Sequence, residues 1–145
     1  MRIALVVSRY HAFITDGLEQ GARQALADAA IGPDDVESFA VPGAYELAQA
    51  ASRVAATRRF DAIVCLGCLI RGETPHFDYI AQAATHGVMR AAQAAGLPIG
   101  FGLLTTNTAE EAVARSVPGE ANKGREAARA ALEMARLYRT IGDAT

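Results

Sequence analysis

With 14 basic and 16 acidic side chains scattered along 145 residues, the chain lacks the one-signed charge patch that nucleic acid or an anionic membrane surface requires. Long apolar runs are missing too: none approaches the roughly 20 residues of a membrane-spanning helix. The opening Arg2–Val7 is strand-like and has neither the length nor the cleavage site of a signal peptide. Only two cysteines are present, Cys65 and Cys68, separated by Leu66 and Gly67 inside the apolar run Ala62–Ile70. A redox C-x-x-C pair opens a helix, whereas these two sit along a strand; they read as small buried hydrophobes in a reducing compartment, and the cytoplasm is the expected location. The three histidines, His11, His76 and His86, lack the paired spacing of metal ligands, and no nucleophile elbow is present. Gly100-Phe101-Gly102 lacks the third glycine of a dinucleotide fingerprint. No metal and no cofactor are expected, which leaves chemistry on small molecules.

Hydrophobic residues make up 51% of the sequence, enough for one domain with a real core, and a single domain over 1–145 is expected. Short β-branched runs alternate with Ala-rich segments of helical period, the pattern of a parallel sheet covered on both faces. The strands are predicted at Ile3–Val7, Val36–Ala40, Ala62–Gly67 and Ile99–Leu104, apolar throughout or nearly so, as burial on both faces demands. Helices are predicted at Ile14–Ala29, with Thr15 or Asp16 as cap, then at Ala44–Ala56, Phe77–Ala95, Ala109–Arg115 and Asn122–Ile141. No repeat, linker or low-complexity segment interrupts this order.

In such sheets ligands bind beyond the carboxyl ends of the strands. There the sequence places Ser8-Arg9-Tyr10-His11, Val41-Pro42-Gly43-Ala44-Tyr45-Glu46, Arg71-Gly72-Glu73-Thr74-Pro75-His76 and Thr105-Thr106-Asn107-Thr108. The third segment runs from a buried strand through a glycine turn into a helix, whose first N–H groups and positive dipole end suit an oxyanion. His76, at the start of that helix, is placed to move protons near neutral pH. The Pro-Gly turn exposes backbone amides that can read a heterocycle edge, although on its own that segment reads as a simple capped helix start with Glu46 solvated. Tyr10 at the rim can stack on a flat ring, or be core. Arg115 and Lys123 flank a Pro118-Gly119 turn and suit phosphate or an acidic heterocycle. His86 falls mid-helix and is expected on the surface.

Taken in order, these segments resemble the lumazine synthase family over nearly the whole chain. The resemblance is carried by Arg9-Tyr10-His11-Ala12-Phe13-Ile14-Thr15, by Val41–Glu46, and by Gly67-Cys68-Leu69-Ile70-Arg71-Gly72-Glu73-Thr74-Pro75-His76-Phe77-Asp78-Tyr79. Phe101-Gly102-Leu103-Leu104-Thr105 and Asn122-Lys123-Gly124-Arg125-Glu126-Ala127-Ala128 complete it. It implies a flavodoxin-like three-layer α/β/α fold with a four-stranded parallel sheet in the order 2-1-3-4. It also implies condensation of 5-amino-6-(D-ribitylamino)uracil with 3,4-dihydroxy-2-butanone 4-phosphate to 6,7-dimethyl-8-ribityllumazine. By the same resemblance Tyr10 stacks on the pyrimidine, Ala44, Tyr45 and Glu46 hold the ring edge and ribityl chain, and Cys68, Leu69 and Ile70 line the uracil side. Glu73 and Thr74 bind the keto-phosphate, Arg115 closes on its phosphate, and His76 carries protons. Phe101 and Lys123 complete the pyrimidine pocket, with Glu126 supporting Lys123.

The resemblance further implies a homopentamer with active sites at subunit interfaces, open to larger assembly. Three features depart from the family pattern. Tyr10 stands where Phe or Trp is usual, His11 where Asn is usual, and Ser116-Val117-Pro118-Gly119-Glu120-Ala121 replaces a Gly-Thr-Lys-like turn associated with icosahedral shells. The chain also opens on its first core strand, without the leading segment that in many relatives pairs with a neighbour's sheet. Two alternatives stand beside this reading: an archaeal-type riboflavin synthase, and a flavin-binding or shell-forming paralogue without turnover. The phosphate-type loop with Arg115 weighs against the first, and His76 with Arg115 against the second.

Overall fold

In the computed structural model of the chain, which describes residues 1–142, four strands form one parallel sheet: β1 (Ile3–Ser8), β2 (Val36–Val41), β3 (Ala62–Ile70) and β4 (Ile99–Thr106). Their order is β2-β1-β3-β4, as expected. Positions 143–145 of the expected domain lie outside the described residues. Five α-helices connect and follow the strands: α1 (Ala12–Asp28), α2 (Leu47–Ala56), α3 (His76–Ala95), α4 (Ala109–Ala114) and α5 (Lys123–Ile141).

Side chains alternate along a strand, so each buried strand feeds two cores. Ile3, Leu5 and Val7 of β1 and Val64, Leu66 and Cys68 of β3 pack beneath α1 and α5. Ala4, Val6, Ile63 and Cys65 pack beneath α2 and α3. This two-sided burial is why β1 and β3 read as unbroken apolar runs, and it sends the two free cysteines to opposite layers. β2 departs from that pattern because it forms a sheet edge: Glu37 reaches Arg59 at 3.0 Å, and Ser38 donates to Glu19 at 2.6 Å. The Gly-x-Gly of β4 has a packing cause. A side chain at Gly100 would meet the Ala127 carbonyl of α5, and one at Gly102 would meet Leu66 and Ala127.

Several element ends differ from expectation. β3 and β4 run further, because Leu69 pairs with Thr105, Ile70 pairs with Thr106, and the Arg71 N–H donates to Thr106 at 2.9 Å. Leu69 and Ile70 thereby become strand residues at the rim. α1 starts at Ala12, preceded by His11 in the left-handed region (φ 61°) with no side-chain cap. Thr15 and Asp16 therefore lie inside the helix rather than capping it, and Thr15 is buried. The helix expected over Ala44–Ala56 is split into a 3-10 turn, Ala44–Glu46, followed by α2. The extended Gly43 carbonyl accepts from the Glu46 N–H, which tightens that first turn. α4 ends at Ala114, and Asn122 is the N-cap of α5 rather than its first residue.

Candidate active site

Two clefts open at the carboxyl rim of the sheet, and they share no lining residue. The first, about 740 Å³, lies above the ends of β1 and β3. Tyr10 and His11 form one wall, the turn Gly43–Glu46 another, and Leu69, Ile70, Gly72, Thr74, His76, Phe77 and Ile80 the rest. The Tyr10 ring meets the His11 ring edge-on at 4.5 Å between centroids and is 65% exposed, so its face is open to a planar guest. His76 is the first residue of α3. Pro75 precedes it at the N-cap and supplies no side-chain acceptor, leaving the positive end of the helix open to an oxyanion.

Arg71 braces this segment. Its guanidinium contacts Asp78 at 3.2 Å, donates to Asn107 at 3.1 Å across to the β4 loop, and stacks over Phe77 at 4.5 Å. The loop that carries Glu73 and Thr74 is thus tied to both α3 and β4.

The second cleft, about 440 Å³, stands over the end of β4 and is lined by Phe101, Asn107, Glu111, Arg115, Lys123 and Glu126 among others. Arg115 caps the C-terminus of α4, and its Nη1 donates to the Glu111 carbonyl at 2.9 Å. Lys123 opens α5, and its Nζ lies 3.3 Å from Glu126 Oε1. The Lys123 N–H donates to the Arg115 carbonyl at 2.9 Å, which holds the two cationic residues side by side.

The residues singled out from the sequence are therefore distributed unevenly. Tyr10, Ala44, Tyr45, Glu46, Leu69, Ile70, Thr74 and His76 line the first cleft; Phe101, Arg115, Lys123 and Glu126 line the second. Glu73 is exposed in the loop and lines neither. The Cys68 side chain, expected on the uracil side, lines neither cleft because the alternation of β3 turns it into the core beneath α1 and α5. Its thiol is pushed up to about 11 by burial. His86 is on the surface. Ile80 and Glu111 were not anticipated, and Asn107 was expected only as part of the rim segment Thr105–Thr108. The spacing Thr108-x-x-Glu111 did carry a signal, since it forms a capping box in which Glu111 Oε1 accepts from the Asn107 and Thr108 N–H groups at 2.9 and 3.0 Å.

Fold and clefts together define a protein of the open parallel α/β class, with two clefts at the carboxyl rim of its sheet, where ligands bind in such folds. More specifically, the chain belongs to the 6,7-dimethyl-8-ribityllumazine synthase family, whose profile matches residues 1–139. It is 42% identical over 141 residues to a 6,7-dimethyl-8-ribityllumazine synthase of Syntrophus aciditrophicus (strain SB), an alignment that covers 97% of this chain and 92% of the relative.

Proposed function

We propose that the chain, acting as one domain in the cytoplasm, condenses 5-amino-6-(D-ribitylamino)uracil with 3,4-dihydroxy-2-butanone 4-phosphate to 6,7-dimethyl-8-ribityllumazine. The observation that carries this reading is the division of labour at the rim: an aromatic cleft with a histidine at an open helix N-terminus, and a second cleft with two cations. In this reading Tyr10 stacks on the pyrimidine, while the Ala44–Glu46 turn reads the ring edge and ribityl chain. The open start of α3 with Glu73 and Thr74 receives the keto-phosphate, and Arg115 closes on its phosphate. The uracil amine condenses with the ketone to an imine with loss of water, phosphate is eliminated from that imine, and the ring closes with loss of a second water. His76 moves the protons. Carbon skeleton and leaving group are both supplied by the substrates, so orientation and proton transfer account for the acceleration. Cys68 can serve only through its backbone.

The working unit in this proposal is a ring of subunits, a pentamer, with each site shared between neighbours. The reading is supported by the two clefts sharing no lining residue, the first over β1 and β3 and the second over β4. It is also supported by the exposed aromatics Tyr10, Phe13, Tyr45 and Tyr79, an apolar rim that an adjoining subunit would cover. The test is to incubate the purified protein with both substrates and follow the fluorescent lumazine; folded protein that forms none of it overturns the assignment.

A further inference from the structure

We infer that Asn122 is a positioning residue that sets the place of Arg115 in the second cleft through the loop between α4 and α5; this rests on the assignment of Arg115 to phosphate. The side chain of Asn122 is 1% exposed. Its Nδ2 lies within hydrogen-bond distance of three carbonyls, Ser116 at 3.0 Å, Val117 at 3.0 Å and Gly17 of α1 at 3.1 Å. Its Oδ1 accepts from the Arg125 N–H at 3.0 Å and so caps α5. One amide thus ties the first residues after Arg115 to α1 and to the start of the helix that carries Lys123.

The loop is otherwise held at its two ends, by the Lys123 N–H on the Arg115 carbonyl at 2.9 Å and by the Ser116 hydroxyl on the Val113 carbonyl at 3.1 Å. Ser116 is buried, but Val117, Pro118, Gly119, Glu120 and Ala121 are all exposed, so burial does not fix the middle of the loop. Its other side-chain tether to α5 is Glu120, paired with Arg129 at 2.9 Å and Arg125 at 3.3 Å; that carboxylate lies in solvent, where such pairs contribute little. α5 has a long buried face and stays in place without the amide. α4 is a six-residue helix, so the end that carries Arg115 is the end that moves.

The seat of Asn122 also explains a costly feature elsewhere. α1 carries glycines in its interior at Gly17 and Gly21, where alanine is the better helix former. A Cβ at Gly21 would collide with the Asn122 side chain, and one at Gly17 with the Ser116 carbonyl. The glycines open α1 so that the amide and the loop it grips can sit against the helix.

The experiment compares Asn122→Ser, which keeps a cap acceptor for α5 and removes the amide donors, with Asn122→Ala, Arg115→Ala and the Asn122→Ser/Arg115→Ala pair. KM for each substrate, kcat, Tm and inhibition by inorganic phosphate are measured in the assembled enzyme. Asn122→Ser is expected to raise the keto-phosphate KM and the phosphate inhibition constant about tenfold, with the aminouracil KM changed less than about threefold. In the Arg115→Ala background the same substitution should add less than about twofold, because it acts through that side chain. Glu120→Gln should stay within about twofold of the parent. Folded Asn122→Ser with a lower Tm but unaltered phosphate constants overturns the inference alone, provided that Arg115→Ala weakens phosphate. Unchanged phosphate constants in Arg115→Ala overturn the phosphate assignment of Arg115, and this inference with it.

Discussion

An imidazole at the first position of a helix, above a cleft with an aromatic wall, is placed to take and return protons without anchoring either substrate. His76→Ala is accordingly expected to lower kcat about 10²-fold, the low end for acid–base groups because the substrates supply their own leaving group, with both KM values little changed. Steady-state kinetics check this, and unchanged turnover would reduce His76 to a structural residue. The cysteines behave oppositely. Burial pushes the Cys65 thiol up to about 12 and Cys68 to about 11, against 9.0 for a free thiol. Both stay neutral and unreactive in the folded chain at pH 8, and alkylation should proceed only after unfolding. As the pH rises past about 9 the unfolded chain loses these protons first, so folding stability should fall between pH 9 and 11. Cys65→Ala should flatten that decline, measured as the urea midpoint against pH.

Among the elements, α1 shows how far packing outweighs local signals. It has no side-chain cap and no acidic residue in its first turn, and it begins from a histidine in the left-handed region. Its stability comes from Leu18, Ala22, Ala25 and Leu26 buried against the sheet and α5. The approach to α5 is close enough that a Cβ at Gly124 would collide with the Leu18 carbonyl. Gly124→Ala, favourable in an isolated helix, is expected to destabilise the fold by about 2 kcal/mol because backbone must move to admit the methyl group. A higher urea midpoint in that variant would show that the helices slide apart freely.

For the molecule as a whole, the expected outcome is set by the two clefts lying over different strands. Arg115→Ala and His76→Ala subunits, each of low activity alone, should recover activity when dissociated and reassembled together. In random hybrid rings about a quarter of interfaces pair an intact His76 with an intact Arg115 from the neighbour. Demonstrated hybrids with no recovery would place each site within one chain.

Residue pattern alone determined the layers and the strand count, because burial on both faces of a strand and on one stripe of a helix leaves a periodic trace. Five ordered segments carried the family. What the sequence did not disclose lies in contacts distant along the chain. Cys68 counted as a site residue only through the family resemblance, and the pleat of β3 decides which way its side chain points. The interior glycines of α1 had no local meaning until the loop that grips Asn122, about a hundred residues on, was packed against them. The meeting of Tyr10 with His76, and the distance of Tyr10 from Arg115 and Lys123, follow from strand order, a property of the assembled sheet: β1 lies beside β3, with β4 beyond it.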